Sequence, residues 1–460
     1  MTKAEAYYRK MTETPVSRLI VRLGIPTTVS MLVSSIYNLA DTYFVGTLGE
    51  SAQAATGILF TLQAIIQAIA FMLGHGSGTF VAKALADKNP REGTTYVSTA
   101  FFTGGTAGLL LAAGGLIWLA PFMRLLGSTE TILPYACDYG MWVLISCPFM
   151  VCSLILNNNL RYEGKAFYAM IGLTAGGLLN ILGDYLLIRI GNMGVYGAGL
   201  STAVSQAVSF FILLAMYLRK AQSTIRLRAV SRDGQVYLSI VRVGLPSLIR
   251  QGLSSLSNGL LNHLTKPFGD AAIAAMSVVN RYSMLVMCVG LGIGQGFQPV
   301  ASFNHRAREY DRVKKGLVFT TLFGFALVGP MAVGGLCFAE PIVRVFQKSE
   351  EVVRIGGFAL RAASVGMLFL PLSVPVNMLY QSIRQAGVAS FLSLLRSGIL
   401  LIPALLLGST FGGLTGLRLA QPIADTLTGL ISIPFILHFL YATPNTDKSA
   451  QLAERERAAE

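Results

Sequence analysis

Two aspartates, Asp41 and Asp184, stand inside long apolar runs of this chain. A carboxylate in lipid costs about 2.5 to 3.5 kcal/mol even on the lenient insertion scale, and such residues are functional by default. Asn180 precedes Asp184 by four residues and so shares its helical face, and Thr202 adds a hydroxyl from the next apolar run. Two carboxylates with an amide and a hydroxyl oxygen can hold a proton between them or coordinate a hard monovalent cation. The residue types leave H⁺ and Na⁺ both open, and they call for no metal beyond a Na⁺ at this site. Tyr37, one turn before Asp41, and Asn157 and Gln206 on other runs are candidates for lining a substrate cavity; ordinary interhelical hydrogen bonding is the other reading of each. Pro26 lies in the same run as Asp41, removes a backbone donor and predicts a kink that can act as a hinge.

Such residues need elements that bring them to one depth, and the composition says what those elements are. Of 460 residues, 53% are apolar and only 13% charged, with a mean hydropathy of +0.59. Soluble domains carry about 25% charge, so a soluble protein is excluded. Breaking the chain where charge, Pro or Gly interrupts the apolar runs predicts twelve membrane helices, near 18–46, 53–82, 94–120, 132–158, 166–190, 195–218, 240–264, 271–303, 315–339, 352–380, 386–408 and 413–441. At about 1.5 Å per residue, Asp41, Asp184 and Thr202 then lie roughly 8, 9 and 10 Å inside spans one, five and six. Three spans thus set oxygen ligands at one level.

The net charge of +14 is not a nucleic-acid footprint, because no exposed domain remains to carry a basic surface. With the N-terminus inside, the inner segments hold 25 of the 36 Lys and Arg residues and the outer loops six. The positive-inside rule therefore predicts a multi-pass protein of the plasma (inner) membrane with both termini cytoplasmic. No signal peptide is expected, since the first apolar run lacks a small-residue cleavage site. The five cysteines show no metal spacing and read as small apolar filler.

The chain also repeats itself. At an offset of 220, Gly24 and Pro26 align with Gly244 and Pro246, Ser34, Ser35 and Asn38 with Ser254, Ser255 and Asn258, and Gly49, Ala52, Ala54 and Ala55 with Gly269, Ala272, Ala274 and Ala275. Gly74 and Gly76 match Gly294 and Gly296 in the same register. Further on, an offset of 223 aligns Arg161, Gly164 and Ala166 with Arg384, Gly387 and Ala389. An even number of spans per half makes the repeats parallel, with a cavity between them. The expected fold is an all-α membrane protein of twelve transmembrane helices in two parallel-repeat six-helix lobes around a central cavity. Its parts are a cytoplasmic segment (1–17), an N-lobe (18–218), a cytoplasmic linker (219–239), a C-lobe (240–441) and a polar tail (442–460). In the second half Asp41 becomes Leu261, Asn180 becomes Pro403 and Asp184 becomes Leu407, so the acidic site is expected in one lobe only. The second half carries Arg250, Arg281, Arg361, Arg396 and Arg418 instead, with Asp425 as an internal partner. These arginines either snorkel or pair between helices, or line a cavity that tolerates anionic groups. His75, within Gly74-His75-Gly76-Ser77-Gly78, reads as a packing residue.

The pattern resembles the multidrug and toxic compound extrusion family. The stretch Tyr37-Asn38-Leu39-Ala40-Asp41-Thr42-Tyr43-Phe44-Val45-Gly46 resembles its first-span signature, and Leu179-Asn180-Ile181-Leu182-Gly183-Asp184-Tyr185 its fifth. Gly194-Val195-Tyr196-Gly197-Ala198 followed by Thr202 resembles its sixth. The acidic residue of span one with the Asn and Asp of span five is similar to the DNA-damage-inducible F branch, whose ion site lies in the N-lobe. That resemblance implies coupling at Asp41, Asn180, Asp184 and Thr202. The acidic residues that the NorM-type branch uses in spans seven and ten are absent here.

The function so implied is secondary antiport: export of organic, cationic or amphipathic drug-like molecules in exchange for inward H⁺ or Na⁺, with no cofactor. The expected partners are small-molecule substrates and the bilayer, without nucleic acid and as a monomer. A lipid-linked oligosaccharide or lipid flippase of the same superfamily is the alternative, favoured by the arginines. An enzyme is not expected and no catalytic residue is assigned, because His75, His263, His305 and His438 are scattered and belong to no catalytic motif.

Overall fold

The computed structural model describes residues 3–347 and 349–445; Lys348 and the tail basic residues Lys448, Arg455 and Arg457 lie outside them. Among the described residues there are helices and no strand. Nine helices among the described residues are long and apolar enough to cross a membrane, and three further observations bring that count to twelve. Glu350–Met367 and Leu370–Ser382 form one span bent by 47°. Gly234–Thr265 is 32 residues long, although Arg242, Arg250 and Gln251 dilute its hydropathy. Finally Ala386–Ala442, 57 residues, cannot cross once: at about 1.5 Å per residue it would extend roughly 85 Å. It folds back at Gly413, whose φ of 53° and ψ of −137° interrupt the helix, and Gly408 and Gly416 meet backbone to backbone because neither has a Cβ.

The spans are therefore Val16–Gly46, Glu50–Ala86, Pro90–Ile117, Leu133–Tyr162, Ala166–Ile190 and Gly194–Lys220 in the first half. The second half has Gly234–Thr265, Asp270–Arg306, Tyr310–Cys337, the bent pair, and 386–412 and 414–442 around Gly413. The ends expected from the apolar pattern fall within a few residues of these, except that span seven begins six residues before position 240.

The elements of the two halves recur in register along the chain. Span two and span eight are each 37 residues and start 220 apart; spans three and nine are each 28 residues and also start 220 apart. Three pairs of left-handed backbone positions repeat in the same way, Gly49 with Gly269, Lys88 with Arg308 and Gly164 with Arg384. So do two buried amides: the Asn157 side chain donates to the Ala169 carbonyl (3.0 Å), and Asn377 to that of Ala389 (2.8 Å). This corrects the offset of 223 beyond residue 160. Gly164 corresponds to Arg384, and the counterparts of Asn180 and Asp184 are Leu400 and Ala404 rather than Pro403 and Leu407. The identities at 223 are coincidental, while turn geometry fixes the register. The second half still lacks the carboxylate.

The lobes touch where glycines remove the side chains. Gly24 of span one lies against Gly296 of span eight, and Gly292 against Thr28; Gly76 of span two lies against the Ile240 carbonyl of span seven, and Gly244 against that of Met72. These crossings, and the pairs Arg306–Asp87 (2.6 Å) and Ser302 to the Thr79 carbonyl (3.1 Å), lie toward the side of the membrane that bears the termini. Toward the other side Gly57, Gly252 and Gly259 face open space, with nothing within 4 Å of where a Cβ would stand.

Two segments expected to be plain cytoplasmic chain are built into this closed side. Residues Lys3–Glu13 form a helix that buries Tyr7 and Met11, stacks Tyr7 edge-on to Phe303 of the second lobe at 5.5 Å and sets its hydroxyl on the Tyr162 carbonyl of the first. The linker after span six is strapped down by Glu163, whose carboxylate accepts the backbone N–H of Gln222 and Ser223 and the Ser223 hydroxyl. Burial pushes the Glu163 carboxyl up, against the pull of those hydrogen bonds.

Candidate functional site

Spans five and six approach closely because Gly172, Gly176 and Gly183 present hydrogen where Leu213, Ser209 and Ser201 of span six come in. Ser209 donates to the Gly172 carbonyl at 3.0 Å and Ser201 to that of Asn180 at 3.0 Å, so the two helices are pinned on the face that carries Asn180 and Asp184. Gly199 likewise lets span six settle against Tyr139 and Trp142 of span four. The backbone widens into a π-helical turn, Tyr185–Ile190, directly after Asp184. Such turns are frequent at functional sites.

The result is a cluster drawn from four spans. Asp41 of span one accepts a hydrogen bond from the Tyr139 hydroxyl at 2.7 Å; that hydroxyl also lies 3.3 Å from Thr202 Oγ1, to which the Asn180 amide donates at 3.2 Å. Asp184 stands beside Ser201, and the carboxyls of Asp41 and Asp184 are close enough to act on each other directly. All four expected residues are at most 3% exposed. Asp41 Oδ1, Asn180 Oδ1 and both carboxyl oxygens of Asp184 are buried with no hydrogen-bond donor in good geometry. Four orphaned acceptors on three side chains are costly in a low dielectric, and a shared proton or a cation is what such a donor-poor oxygen set accommodates.

Tyr37 and Gln206 adjoin this cluster: the Tyr37 hydroxyl meets Gln206 and lies within electrostatic reach of Asp41. Asn157 is placed elsewhere, its amide tying span four to span five through Ala169. Pro26 stands in span one without breaking it; Thr27 and Ser30 back-bond to the carbonyls of Leu23 and Pro26 (2.8 and 2.9 Å), a pattern that bends helices, beside the Gly24–Gly296 crossing. Sequence reasoning missed Tyr139 and Ser201. A tyrosine or serine in an apolar span is too common to single out, and only the glycine faces of span six hint at what it packs on.

His75 is fully buried between the lobes, its Nε2 2.9 Å from the Arg161 guanidinium and its Nδ1 2.9 Å from Ser247 Oγ of span seven. Arg161 also donates to Gln295 and Asn158. Among the intramembrane arginines, Arg396 pairs with Asp425 at 2.7 Å, Arg361 with Glu340 at 2.8 Å, and Arg418 covers the Phe358 ring at 4.6 Å.

The sequence profile of the MatE family matches this chain twice, over residues 26–186 and 246–406, two segments displaced by the same 220 residues that relate the lobes. The chain belongs to the MatE family. The Multidrug export protein MepA of Staphylococcus saprophyticus is 25% identical over 459 residues, spanning 98% of this chain and 100% of that one. A FAD transporter of Shewanella oneidensis is 25% identical over 427 residues, 90% of this chain and 93% of that one. A solved outward-facing structure of a multidrug resistance MATE family transporter of the MOP superfamily is 23% identical and superposes with a TM-score of 0.88 over 97% of this chain and 100% of that one. This MatE protein is thus a multi-pass membrane transporter of two six-helix lobes, and not an enzyme.

Proposed function

We propose that this MatE protein is a secondary antiporter that exports organic, cationic or amphipathic drug-like molecules in exchange for inward H⁺ or Na⁺, by alternating access of its two lobes. The observation that carries the reading is the buried Asp41–Asp184 pair with its orphaned oxygens, built from spans one, four, five and six of one lobe. Asp41, Asn180, Asp184 and Thr202 hold the coupling ion, as in the DNA-damage-inducible F branch that the sequence resembles. Tyr37 and Gln206, which adjoin the acidic cluster, carry the site's influence toward substrate, while Asn157 is an interhelical tie. Export of drugs is supported by the MepA relatives, which match end to end; no relative named here favours the flippase alternative.

Residues 18–218 and 240–441 act as the two moving lobes, joined by 219–239, with Pro26 as the hinge of span one. The terminal side, closed by the glycine crossings, faces the cytoplasm of the plasma membrane, and the monomer is the working unit. Neutralising a carboxylate removes like-charge repulsion in a confined site, so span one can repack against spans five and six; that shifts the equilibrium only through different ion affinity in the two shapes. Each charge that crosses contributes about 2.3 kcal/mol per 100 mV, enough to bias conformers a few kcal/mol apart. Transport of a fluorescent organic cation into proteoliposomes, under H⁺ and Na⁺ gradients imposed separately, tests this: uphill movement is expected with one of them. Uphill movement with neither, in protein that still binds substrate, overturns the antiport reading.

A further inference from the structure

The second lobe contains a small, mostly apolar cleft of about 30 Å³, the size of a head group, with basic side chains in its wall. It lies between spans seven, eight, ten, eleven and twelve and is lined by Arg250, Arg396, Asn377, Ser373, Ser393 and Thr428, with Met287, Leu291 and Met378 as apolar wall. Arg396 sits in the chain's second π-helical turn, Leu395–Leu400, and is held by Asp425, which also accepts from Gln421 at 2.9 Å. Arg250 has no such counter-ion. Its guanidinium donates to Asn377 Oδ1 (3.2 Å) and Ser247 Oγ (3.4 Å), and among the described residues no carboxylate pairs with it. Ser247 in turn binds His75, which binds Arg161, another guanidinium whose partners are all neutral. Of these three guanidinium groups, Arg161 buried and Arg250 and Arg396 half-buried, only Arg396 has a carboxylate partner, Asp425. A charge held away from water without a counter-ion is strongly unfavourable, and none of the described residues supplies one to Arg250.

We propose that this cleft binds the anionic head, a carboxylate or phosphate, of an amphipathic organic molecule, with Arg250 as the direct partner, Arg396 as the second positive group oriented by Asp425, and the Met and Leu wall against the apolar body. The proposal rests on the transport reading above and narrows its substrate class to amphiphiles with an anionic group, zwitterions included. The acidic cluster of the first lobe and the basic cleft of the second give the transporter two poles of opposite sign. A guanidinium and a carboxylate or phosphate make bidentate, charge-assisted hydrogen bonds that a neutral or cationic head cannot make.

The test uses three probes with one ring and one tether: pyrenebutyrate, pyrenebutanol and pyrenebutylammonium. Their binding to the full-length protein in phosphatidylcholine nanodiscs, without any ion gradient, is followed by fluorescence anisotropy. The wild type is expected to bind the carboxylate at least tenfold more tightly than the alcohol, with Arg250→Gln abolishing that preference while retaining the alcohol, and Arg250→Lys keeping part of it. Equal affinities, or a preference for the ammonium in the wild type, overturn the proposal even if the variants fail to fold. Retention of the carboxylate preference in Arg250→Gln overturns it too. Repeating the titration with one-fifth phosphatidylglycerol separates the sources of the anion. Loss of the pyrenebutyrate signal means that a lipid head occupies the same site, and an unchanged signal means a free substrate; both support the anionic chemistry. Because no gradient is applied, failure here is distinct from failure of antiport.

Discussion

Gly76→Ala is a one-carbon test of the closed side. The methyl would fall on the Ile240 carbonyl oxygen of span seven, far inside contact distance, and a backbone carbonyl within a helix cannot rotate away as a side chain can. Overpacking of this kind costs about 1–3 kcal/mol. The cost applies only where spans two and seven touch, so it shifts the ratio of closed to open on the terminal side by roughly 5- to 150-fold. Nitroxides placed at the exposed positions Lys88 and Arg308, in a background without the native cysteines, report that ratio by pulsed electron resonance. The parent is expected to give one short distance distribution and Gly76→Ala a second, longer component. Gly57→Ala, in the same helix but with nothing within 4 Å, is the control and leaves the distribution unchanged. A Gly76→Ala distribution identical to the parent's, with unchanged melting temperature, would refute the glycine crossing as a closed contact.

Three further outcomes follow from named contacts. Tyr139→Phe deletes the hydroxyl that donates to Asp41 at 2.7 Å and so stabilises the empty carboxylate; a hydrogen bond to a charged group contributes about 1.5–3 kcal/mol, so half-saturation by the coupling ion should fall roughly tenfold or more, and an unchanged value would remove Tyr139 from the site. Asp425→Asn should lower the melting temperature, because it leaves Arg396 without its counter-ion, yet ion coupling should persist; loss of ion-dependent transport would mean a second coupling site in that lobe. Glu163→Ala strips the acceptor from the Gln222 and Ser223 N–H groups, and trypsin should cut the linker at Arg226 or Arg228 faster than in the parent, whereas equal cleavage rates would show that the strap is held by other contacts.

The spans and the acidic cluster were legible for one reason: lipid leaves a carboxylate or a twenty-residue apolar run few alternative meanings. The positions of Asp41, Asn180, Asp184 and Thr202 on three helices could be brought to one depth from helical rise alone. Tyr139 could not, since its role depends on Gly199 letting span six approach span four. The folding-back at Gly413 and the bend of span ten depend on backbone angles, which hydropathy does not encode. The register of the repeat was readable while identities were dense and slipped by three residues where they thinned. Matching turns, Gly164 with Arg384, set it right. The helix 3–13 was overlooked because, among its described side chains, the buried apolar ones are Tyr7 and Met11 amid polar residues, and its partners Phe303 and Tyr162 are remote in sequence.

The most direct measurement of the central claim is gradient-driven transport in proteoliposomes by Asp41→Asn and Asp184→Asn, compared with the parent under whichever of the H⁺ or Na⁺ gradients drives it. Both substitutions keep side-chain shape while removing a carboxylate from a buried pair. Each variant is expected to fold, to bind substrate and to have lost uphill transport while still equilibrating substrate downhill. Uphill transport at the parental rate by either one would contradict the assignment of ion coupling to this pair.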